Sequence, residues 1–226
     1  MTLYPPPRQF NPYPDYKDSG VEWLGKIPTH WRLAPLFTVA RERDVRNTGG
    51  QDTNVLSLSY GHVVPRDVSE NFGLMPESFD TYQVVAPNNI VLRLTDLQND
   101  KKSLRVGLVR DAGIITSAYV ALRVVESVEP RYLFYLLYAY DVMKVFYTLG
   151  AGVRQTMGFN DLKWMPILEP KPDEQRSIAD FLDRETAKID ALIAKVRHGI
   201  DLLSEYRGAL ISSAVNGKID LRGRTA

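Results

Sequence analysis

The stretch that decides the fold runs from Pro172 to Val215 and reads PDEQRSIADFLDRETAKIDALIAKVRHGIDLLSEYRGALISSAV. Apolar residues recur every seven positions along it, which is the period of a coiled coil. The stretch predicts one helix, roughly 65 Å long at 1.5 Å per residue. A helix of that length cannot bury its seam against one small domain, so the seam needs another helix. The first row of the seam contains Leu182, Ile189, Val196, Leu203 and Leu210, and the second contains Ile178 and Leu192.

Both ends of the predicted helix carry boundary signals. Pro172 suits the first helical position, and Asp173 and Glu174 place negative charge at the positive end of the helix dipole. Gly217, just beyond the last apolar position, is typical of a C-terminal stop. The sequence therefore predicts both where the helix begins and where it ends.

The second row of the seam has two defects, Glu185 and Gly199. Both argue against a simple parallel zipper with an identical helix, and Gly199 would permit close backbone approach or a bend. An alternative is that the helix breaks near His198 and Gly199 and folds back on itself as a hairpin.

The composition is that of a globular protein, with 44% hydrophobic and 24% charged residues in a chain of 226. The N-terminus does not resemble a secretory signal, and no stretch approaches the roughly 18 apolar residues of a membrane span. The chain has no cysteine, which suits a cytoplasmic location. A formal net charge of +1 means that any nucleic-acid site must be a local patch.

The part of the chain before the long helix predicts a compact α+β domain. We expect residues 1–16 to be a proline-rich, irregular arm. One helix opens at Pro130 and runs to about Leu149, where Gly150 and Gly152 stop it. We expect a domain over residues 1–168 and a spacer helix with its tail over 169–226. Five β-type runs are predicted at residues 55–59, 82–85, 90–94, 106–109 and 119–125.

Motifs for catalysis are weak. The three histidines lie far apart and have no partner at metal-ligand spacing. Asn11-Pro12-Tyr13 is similar to a methyltransferase loop, but no strand precedes it and no glycine-rich cofactor turn follows it. The glycine-rich segment from Gly150 to Arg154 lacks the end of a phosphate-binding loop. We do not expect an enzyme.

Three polar loops suit DNA contact. The loop after the 90–94 run combines lysines with amides that are able to touch both phosphates and base edges. The turn that follows Gly150 carries an arginine and a glutamine, the usual bidentate readers of guanine and adenine. The third lies at the end of the 55–59 strand. Each loop alone also has the plainer interpretation of a solvated surface loop. The candidate DNA-binding residues are Ser59, Tyr60, Arg93, Thr95, Gln98, Lys101, Lys102, Arg105, Arg154 and Gln155.

Several segments together resemble one known family. Residues 17–31 (KDSGVEWLGKIPTHW) are similar to the opening of a target recognition domain in the specificity subunits of type I restriction-modification systems. The segments EQRSIADFL (174–182), IDALI (189–193), LSEYRGALI (203–211) and AVNGKID (214–220) resemble the helical region of those subunits, and residues 152–155 and 167–170 resemble its lead-in.

The resemblance implies a non-catalytic subunit that reads double-stranded DNA. It implies that the recognition domain reads one half of a bipartite site, and that two long helices pack antiparallel and set the gap between half-sites. Methyltransferase and restriction subunits would dock on this scaffold. This chain would bind no cofactor itself, and S-adenosylmethionine, magnesium and ATP would belong to those partners.

The chain resembles half of such a subunit, because it carries one recognition domain and one long helix where the family carries two of each. An unpaired seam would expose large apolar side chains, at about 1.5 to 3 kcal/mol each. We therefore expect a homodimer about a two-fold axis, which would read an interrupted palindrome. We expect Lys17–Trp31 to pack as a lid that lies near the C-terminal segment Gly217–Leu221, with neither segment reading bases.

Two other functions compete with this interpretation. The first is a protein-interaction module that dimerises, or binds the methyltransferase, without reading DNA. The second is a methyltransferase or nuclease in its own right, against which the missing cofactor and metal motifs argue.

Overall fold

The structure is a computed structural model that describes residues 11–66, 78–97, 99–100, 102–149 and 156–222. It divides into two compact units, one ending at Ala179 and the other beginning at Asp180. In chain order its strands are β1 (Tyr16–Asp18), β2 (Lys26–Pro28), β3 (Arg32–Pro35), β4 (Ala40–Glu42), β5 (Leu56–Ser59), β6 (His62–Pro65), β7 (Gln83–Val85), β8 (Ile90–Leu92), β9 (Val106–Leu108), β10 (Gly113–Ile115), β11 (Val120–Val124) and β12 (Pro166–Glu169). The helices are α1 (Leu36–Val39), α2 (Pro130–Val142), α3 (Phe146–Leu149), α4 (Phe159–Leu162) and α5 (Pro172–Val215).

The first unit is built on an antiparallel sheet of four strands in the order β4-β11-β8-β9. Four two-stranded antiparallel ladders surround it: β1-β2, β3-β12, β5-β6 and β7-β10. Each of the five β-type runs predicted from sequence contains a strand, and the predicted α+β class is confirmed.

Hydrophobic side chains cover both faces of this sheet. On one face Ile90, Leu92 and Leu122 join the larger core with Leu133 and Leu137 of α2. On the other face a smaller core contains Val91 and Ala121 of the sheet with side chains from β5, β7 and β10. The alternation along each strand thus serves two cores, which explains why these strands read as almost continuous apolar runs.

The second predicted helix ends earlier than expected. It stops at Val142, and a separate short helix, α3, follows. Lys144 has a φ of 63°, and the backbone N–H of Val145 donates to the carbonyl of Tyr140 at 2.9 Å. This is a Schellman ending with lysine where glycine is usual. The prediction of one helix to Leu149 is wrong because no glycine marked the stop.

Helix α5 spans 44 residues, as the sequence predicted. It is continuous through Gly199, so the alternative hairpin at that position is wrong. Beyond its end, Gly217 has a φ of 68°, and the N–H of Lys218 donates to the carbonyl of Ser213 at 2.9 Å. The predicted glycine stop is confirmed.

Within the described residues, no helix combines the length and the apolar character that crossing a membrane would require.

Candidate nucleic-acid interface

The β5-β6 hairpin presents an exposed tyrosine at its tip. Ser59 and His62 pair across the hairpin, so Tyr60 and Gly61 form a two-residue turn. Both have positive φ, 48° and 81°, which is the geometry of a type I′ turn. Tyr60 is 86% exposed, whereas Ser59 is half-buried. The turn therefore holds one aromatic ring in solvent at a fixed point.

Two glycines let this hairpin lie against its neighbours. A Cβ atom at Gly107 of β9 would lie 2.5 Å from a methyl of Leu58 and 2.8 Å from a methyl of Val63. A Cβ atom at Gly61 would lie 3.2 Å from a methyl of Leu104. The hairpin thus packs on β9, and its tip contacts the last part of the loop between β8 and β9.

The loop between β8 and β9, residues 93–105, closes on the side chain of Arg105. This guanidinium donates from Nε to the hydroxyl of Tyr147 (2.9 Å), and from its two terminal nitrogens to four backbone carbonyls. All five of its N–H donors are used, and the residue is 0% exposed. Our expectation that Arg105 contacts DNA is wrong, because its side chain is buried and all its donors bind Tyr147 and carbonyls of the loop. The accepting carbonyls are those of Arg93 (3.0 Å), Thr95 (2.8 Å), Asp96 (3.3 Å) and Asp100.

Asp100 organises the same loop from the other side. Its carboxylate accepts hydrogen bonds from the backbone N–H groups of Ser103 (2.9 Å) and Lys102 (3.2 Å) and pairs with the guanidinium of Arg93. The hydrogen bonds from Ser103 are the main cause that holds the pKa of Asp100 well below its usual range. Arg93 is therefore positioned by an ion pair, while Lys102 is exposed.

The chain returns to this loop after α3. Thr95 and Thr156 form an antiparallel bridge, and the N–H of Met157 donates to the carbonyl of Leu94 at 2.9 Å. Thr95 itself is half-buried. Gln98, Lys101, Arg154 and Gln155 lie outside the described residues.

The structure thus brings together parts of all three polar loops found in the sequence. The hairpin tip contacts Leu104, and Thr156 pairs with Thr95, although the three segments are far apart in the chain. That these loops contact DNA stays a prediction. Apart from Arg105, the predicted residues that the structure describes at this end of the sheet are Ser59, Tyr60, Arg93, Thr95 and Lys102.

A second cluster surrounds the first turn of α5. The carboxylate of Glu174 accepts hydrogen bonds from the hydroxyl of Tyr13 (2.7 Å) and the indole N–H of Trp31 (3.0 Å). Its other oxygen lies 3.0 Å from Nε2 of His30. Partial burial opposes ionisation, but these three hydrogen bonds outweigh it and lower the pKa of Glu174.

Gln175 fixes the same turn from inside the unit. It is 1% exposed; its amide nitrogen donates to the carbonyl of Pro170 and its oxygen accepts from the N–H of Glu129, both at 2.9 Å. Trp23 packs against the larger core, as expected for a lid. Two of the sequence segments that carried the family resemblance therefore meet at this turn, because Trp31 belongs to residues 17–31 and Glu174 to residues 174–182.

The predicted seam of α5 is largely solvent-exposed. Ile178 and Leu182 are half-buried. The exposed fraction of the remaining seam residues is 55% at Ile189, 61% at Leu192, 62% at Val196, 68% at Leu203 and 47% at Leu210.

Sequence reasoning missed two features of this molecule. Ile193 and Ile200 add a third exposed apolar row beside the seam; counting every row of the heptad would have found it. The place of Tyr147 beside Arg105 was also missed, because the predicted helix ran unbroken to Leu149 and no glycine marked the end of α2. Across the described residues, no three histidines or carboxylates group so as to hold a metal ion.

The chain is similar in sequence to a curated protein. It is 25% identical over 214 residues to the specificity subunit of the type I restriction enzyme StySPI from Salmonella potsdam. That match covers 86% of the chain and 44% of the relative. No protein-family model matches the chain.

Two solved structures share its fold. A chain from a study of complex assembly and conformational transition in the type I R-M system matches with a TM-score of 0.60 and 18% identity, over 88% of this chain and 48% of the other. The S subunit of a type I restriction-modification system from M. genitalium matches with a TM-score of 0.53 and 16% identity, over 80% of this chain and 46% of the other. The chain is thus similar in sequence to one type I specificity subunit. It spans about half the length of these relatives.

Proposed function

We propose that the chain is a non-catalytic DNA-recognition subunit of a type I restriction-modification complex. Its first unit reads one half-site, and α5 pairs antiparallel with α5 of a second copy to set the spacing between half-sites. Methyltransferase and restriction subunits assemble on this scaffold and bring S-adenosylmethionine, magnesium and ATP.

The observation that carries this proposal is the meeting of the three polar loops in a chain similar in sequence to a type I specificity subunit. Tyr60, the Arg93–Asp100 pair and Thr156 belong to the three segments, which are joined at one end of the central sheet. Loops of this kind on a rigid sheet combine phosphate contacts, which position a protein, with polar groups for base edges, which specify sequence.

The exposed seam supports pairing with a second copy. Five large apolar side chains, from Ile189 to Leu210, are each about half exposed or more. Their burial would contribute several kcal/mol at about 1.5 to 3 kcal/mol per fully buried side chain. A second copy offers the same apolar row, so a two-fold dimer satisfies both seams at once.

The defects in the second row support the antiparallel arrangement. In a parallel dimer in register, Glu185 would face Glu185 of the second copy, and like charges at that position are unfavourable. An antiparallel dimer places the two glutamates at opposite ends of the seam. It also relates the two recognition units by a dyad, so the site they read is an interrupted palindrome.

The third apolar row supports a further partner. Ile193 and Ile200 are 43% and 56% exposed. A two-helix seam uses two rows in seven, whereas a face of three rows is typical of helices in bundles. We assign the additional row to docking of the methyltransferase subunit.

Selection from random double-stranded DNA tests the proposal. The chain is purified with a type I methyltransferase subunit, and the bound DNA is sequenced. We expect enrichment of two half-sites of dyad-related sequence separated by a fixed gap. Binding should weaken steeply as salt rises, because several phosphate contacts release counterions.

Two results would contradict the proposal in different ways. Binding to the methyltransferase without enrichment of any sequence would favour a pure interaction module. Enrichment of one site without dyad symmetry would preserve DNA reading and overturn the symmetric dimer.

A further inference from the structure

The side chain of Arg105 is a buried polar centre beneath the loop of residues 93–105. It holds four carbonyls of that loop and reaches no solvent. A guanidinium is suited to this task because its five donors form a rigid planar fork. Without it, the carbonyls of Arg93 and Thr95 would lose their donor, and those of Asp96 and Asp100 would each keep one. Every buried acceptor left without a donor has a cost in stability.

Tyr147 completes this centre from α3. Its hydroxyl accepts from Nε of Arg105 (2.9 Å) and donates to the carbonyl of Asp100 (3.1 Å). Its ring centroid lies 5.5 Å from the guanidinium carbon. Because α2 ends at Val142 and the chain turns at Lys144, Tyr147 lies on a new helix, α3.

The last turn of α2 fixes the backbone of the same arginine. Oδ2 of Asp141 accepts the N–H of Arg105 at 2.6 Å, and Asp141 is 0% exposed. Burial raises the pKa of this carboxyl. The ends of α2 and α3 thus hold Arg105 from two sides, and the loop takes its shape from both.

The consequences of this centre extend to the other two polar loops. Thr95, whose carbonyl Arg105 holds, pairs with Thr156, and Leu104, next to Arg105 in the chain, contacts the tip of the β5-β6 hairpin. A change at Arg105 would therefore alter all three loops together.

We propose that Arg105 and Tyr147 are positioning residues that set which base pair the loop of residues 93–105 reads. The inference rests on the proposed function. Hydrogen bonds to base edges require a defined geometry, whereas attraction to phosphates depends on charge and tolerates displacement. Loosening this centre therefore reduces sequence discrimination and leaves non-specific affinity intact.

The variant Tyr147→Phe tests the inference with the least disturbance. It removes one hydroxyl, which leaves Nε of Arg105 without its partner and leaves the carbonyl of Asp100 with the hydrogen bond from Arg105 alone. The matched control is Tyr132→Phe, which removes the hydrogen bond of a buried hydroxyl to the carbonyl of Leu168 (3.0 Å). Both tyrosines lie in the first unit, but only Tyr147 contacts the loop.

The measurement compares two dissociation constants for the chain in complex with its methyltransferase subunit. One duplex carries the site selected by the wild type, and the other is a scrambled duplex of equal length. For Tyr147→Phe we expect the ratio of the two constants to fall about tenfold, the size of one lost base contact. The constant for scrambled DNA should stay unchanged, and Tyr132→Phe should keep the wild-type ratio.

Arg105→Lys gives a second, independent reading. Lysine keeps the charge but has three donors for five acceptors. A direct phosphate contact by residue 105 would survive this change, whereas a positioning role predicts a larger fall in the ratio than Tyr147→Phe produces. Thermal unfolding of each variant shows that the comparison is made on folded protein.

Three outcomes would overturn the inference. In the first, Tyr147→Phe keeps the wild-type ratio. In the second, Tyr132→Phe lowers the ratio equally, which would make the effect one of general stability. The third, a wild type with no preference for any sequence, would refute the proposed function as well, and the wild-type measurement alone identifies it.

Discussion

The first two turns of α5 and its remaining length obey different rules. In the first turns, Gln175 and Ala179 are buried, and the polar atoms of Glu174 and Gln175 have partners within the first unit. From Ile189 onward the side chains of the seam are exposed, and the helix carries an apolar stripe without a cover in the single chain.

The difference shows that the two parts of α5 have different roles. The first two turns, residues 172–179, are held within the first unit by hydrogen bonds and burial, and we call them the joint. The continuation of α5 exposes large apolar side chains in three rows, which is the pattern of a helix that packs against another helix, and we propose it as an interface. Changes at the joint should therefore alter folding of the first unit, and changes at the seam should alter assembly.

The largest effect is expected from Val196→Asp combined with Leu203→Asp. Two charges on the seam would weaken self-association at least about 1,000-fold, because they replace several kcal/mol of apolar burial with buried charge. Sedimentation velocity at micromolar concentrations measures the change. The control is Arg197→Asp with Ser204→Asp, which introduces the same residue one position along, off the seam. Equal dissociation of both variants would mean that the seam is not the surface through which two copies associate.

Gln175→Leu should have the next largest effect, on the joint. Leucine fills the space but leaves the N–H of Glu129 and the carbonyl of Pro170 without partners, at about 1 to 3 kcal/mol each. Urea unfolding followed by tryptophan fluorescence measures it, because all three tryptophans (Trp23, Trp31 and Trp164) lie before α5. Arg176→Leu, at the exposed neighbouring position, is the control and should change the free energy of unfolding little. A stable Gln175→Leu variant would refute this view of the joint.

Glu174→Gln should cost about 1 to 2 kcal/mol at neutral pH, because hydrogen bonds to a carboxylate are stronger than those to an amide. The folded-state pKa lies below the ordinary value of 4.5. The contribution of the carboxylate is therefore fully present above pH 4.5 and is lost as pH falls through the lowered pKa. The free energies of unfolding of the wild type and of Glu174→Gln, measured from pH 7 to pH 3, should converge only below pH 4.5. A difference that persists into acid would argue against an ionised Glu174 at the joint.

The smallest effects on stability are expected at the ends of α2 and α5, which both close with a residue of positive φ. Lys144→Gly should stabilise the first unit by about 1 kcal/mol, because glycine adopts positive φ without the penalty of a side chain. Gly217→Ala should destabilise the end of α5 by a similar amount. Urea unfolding measures the first, and amide hydrogen exchange of the last turn of α5 measures the second. Destabilisation by Lys144→Gly would mean that contacts of the lysine side chain outweigh its backbone cost.

The sequence predicted those elements whose signals are local. The heptads of α5, its proline start and its Gly217 stop predicted a continuous helix, and runs of branched residues predicted five strands. Short strands such as β1 and β10 have three residues and little pattern. The end of α2 carried no glycine, since Lys144 takes the position where glycine is usual.

The sequence predicted which loops form the candidate site, but it did not predict what each residue does there. Exposed polar residues such as Lys102 were recognised by type. Arg105 is also a cationic residue, but it is buried. Four carbonyls of the loop replace solvent around its guanidinium. A sequence does not reveal whether an arginine faces a ligand or its own backbone, and the packing of α2 and α3 against the loop decides it here.

The central claim is that α5 packs antiparallel against α5 of a second copy. The chain has no cysteine, so single cysteines at Leu182, Ile189, Val196, Leu203 and Leu210 can be introduced one at a time and oxidised. A disulfide requires Cα atoms within about 7 Å of each other. An antiparallel dimer should self-crosslink efficiently only near the dyad, at one or two neighbouring positions. Equal crosslinking at all five would indicate a parallel dimer, and none at any position would contradict self-pairing.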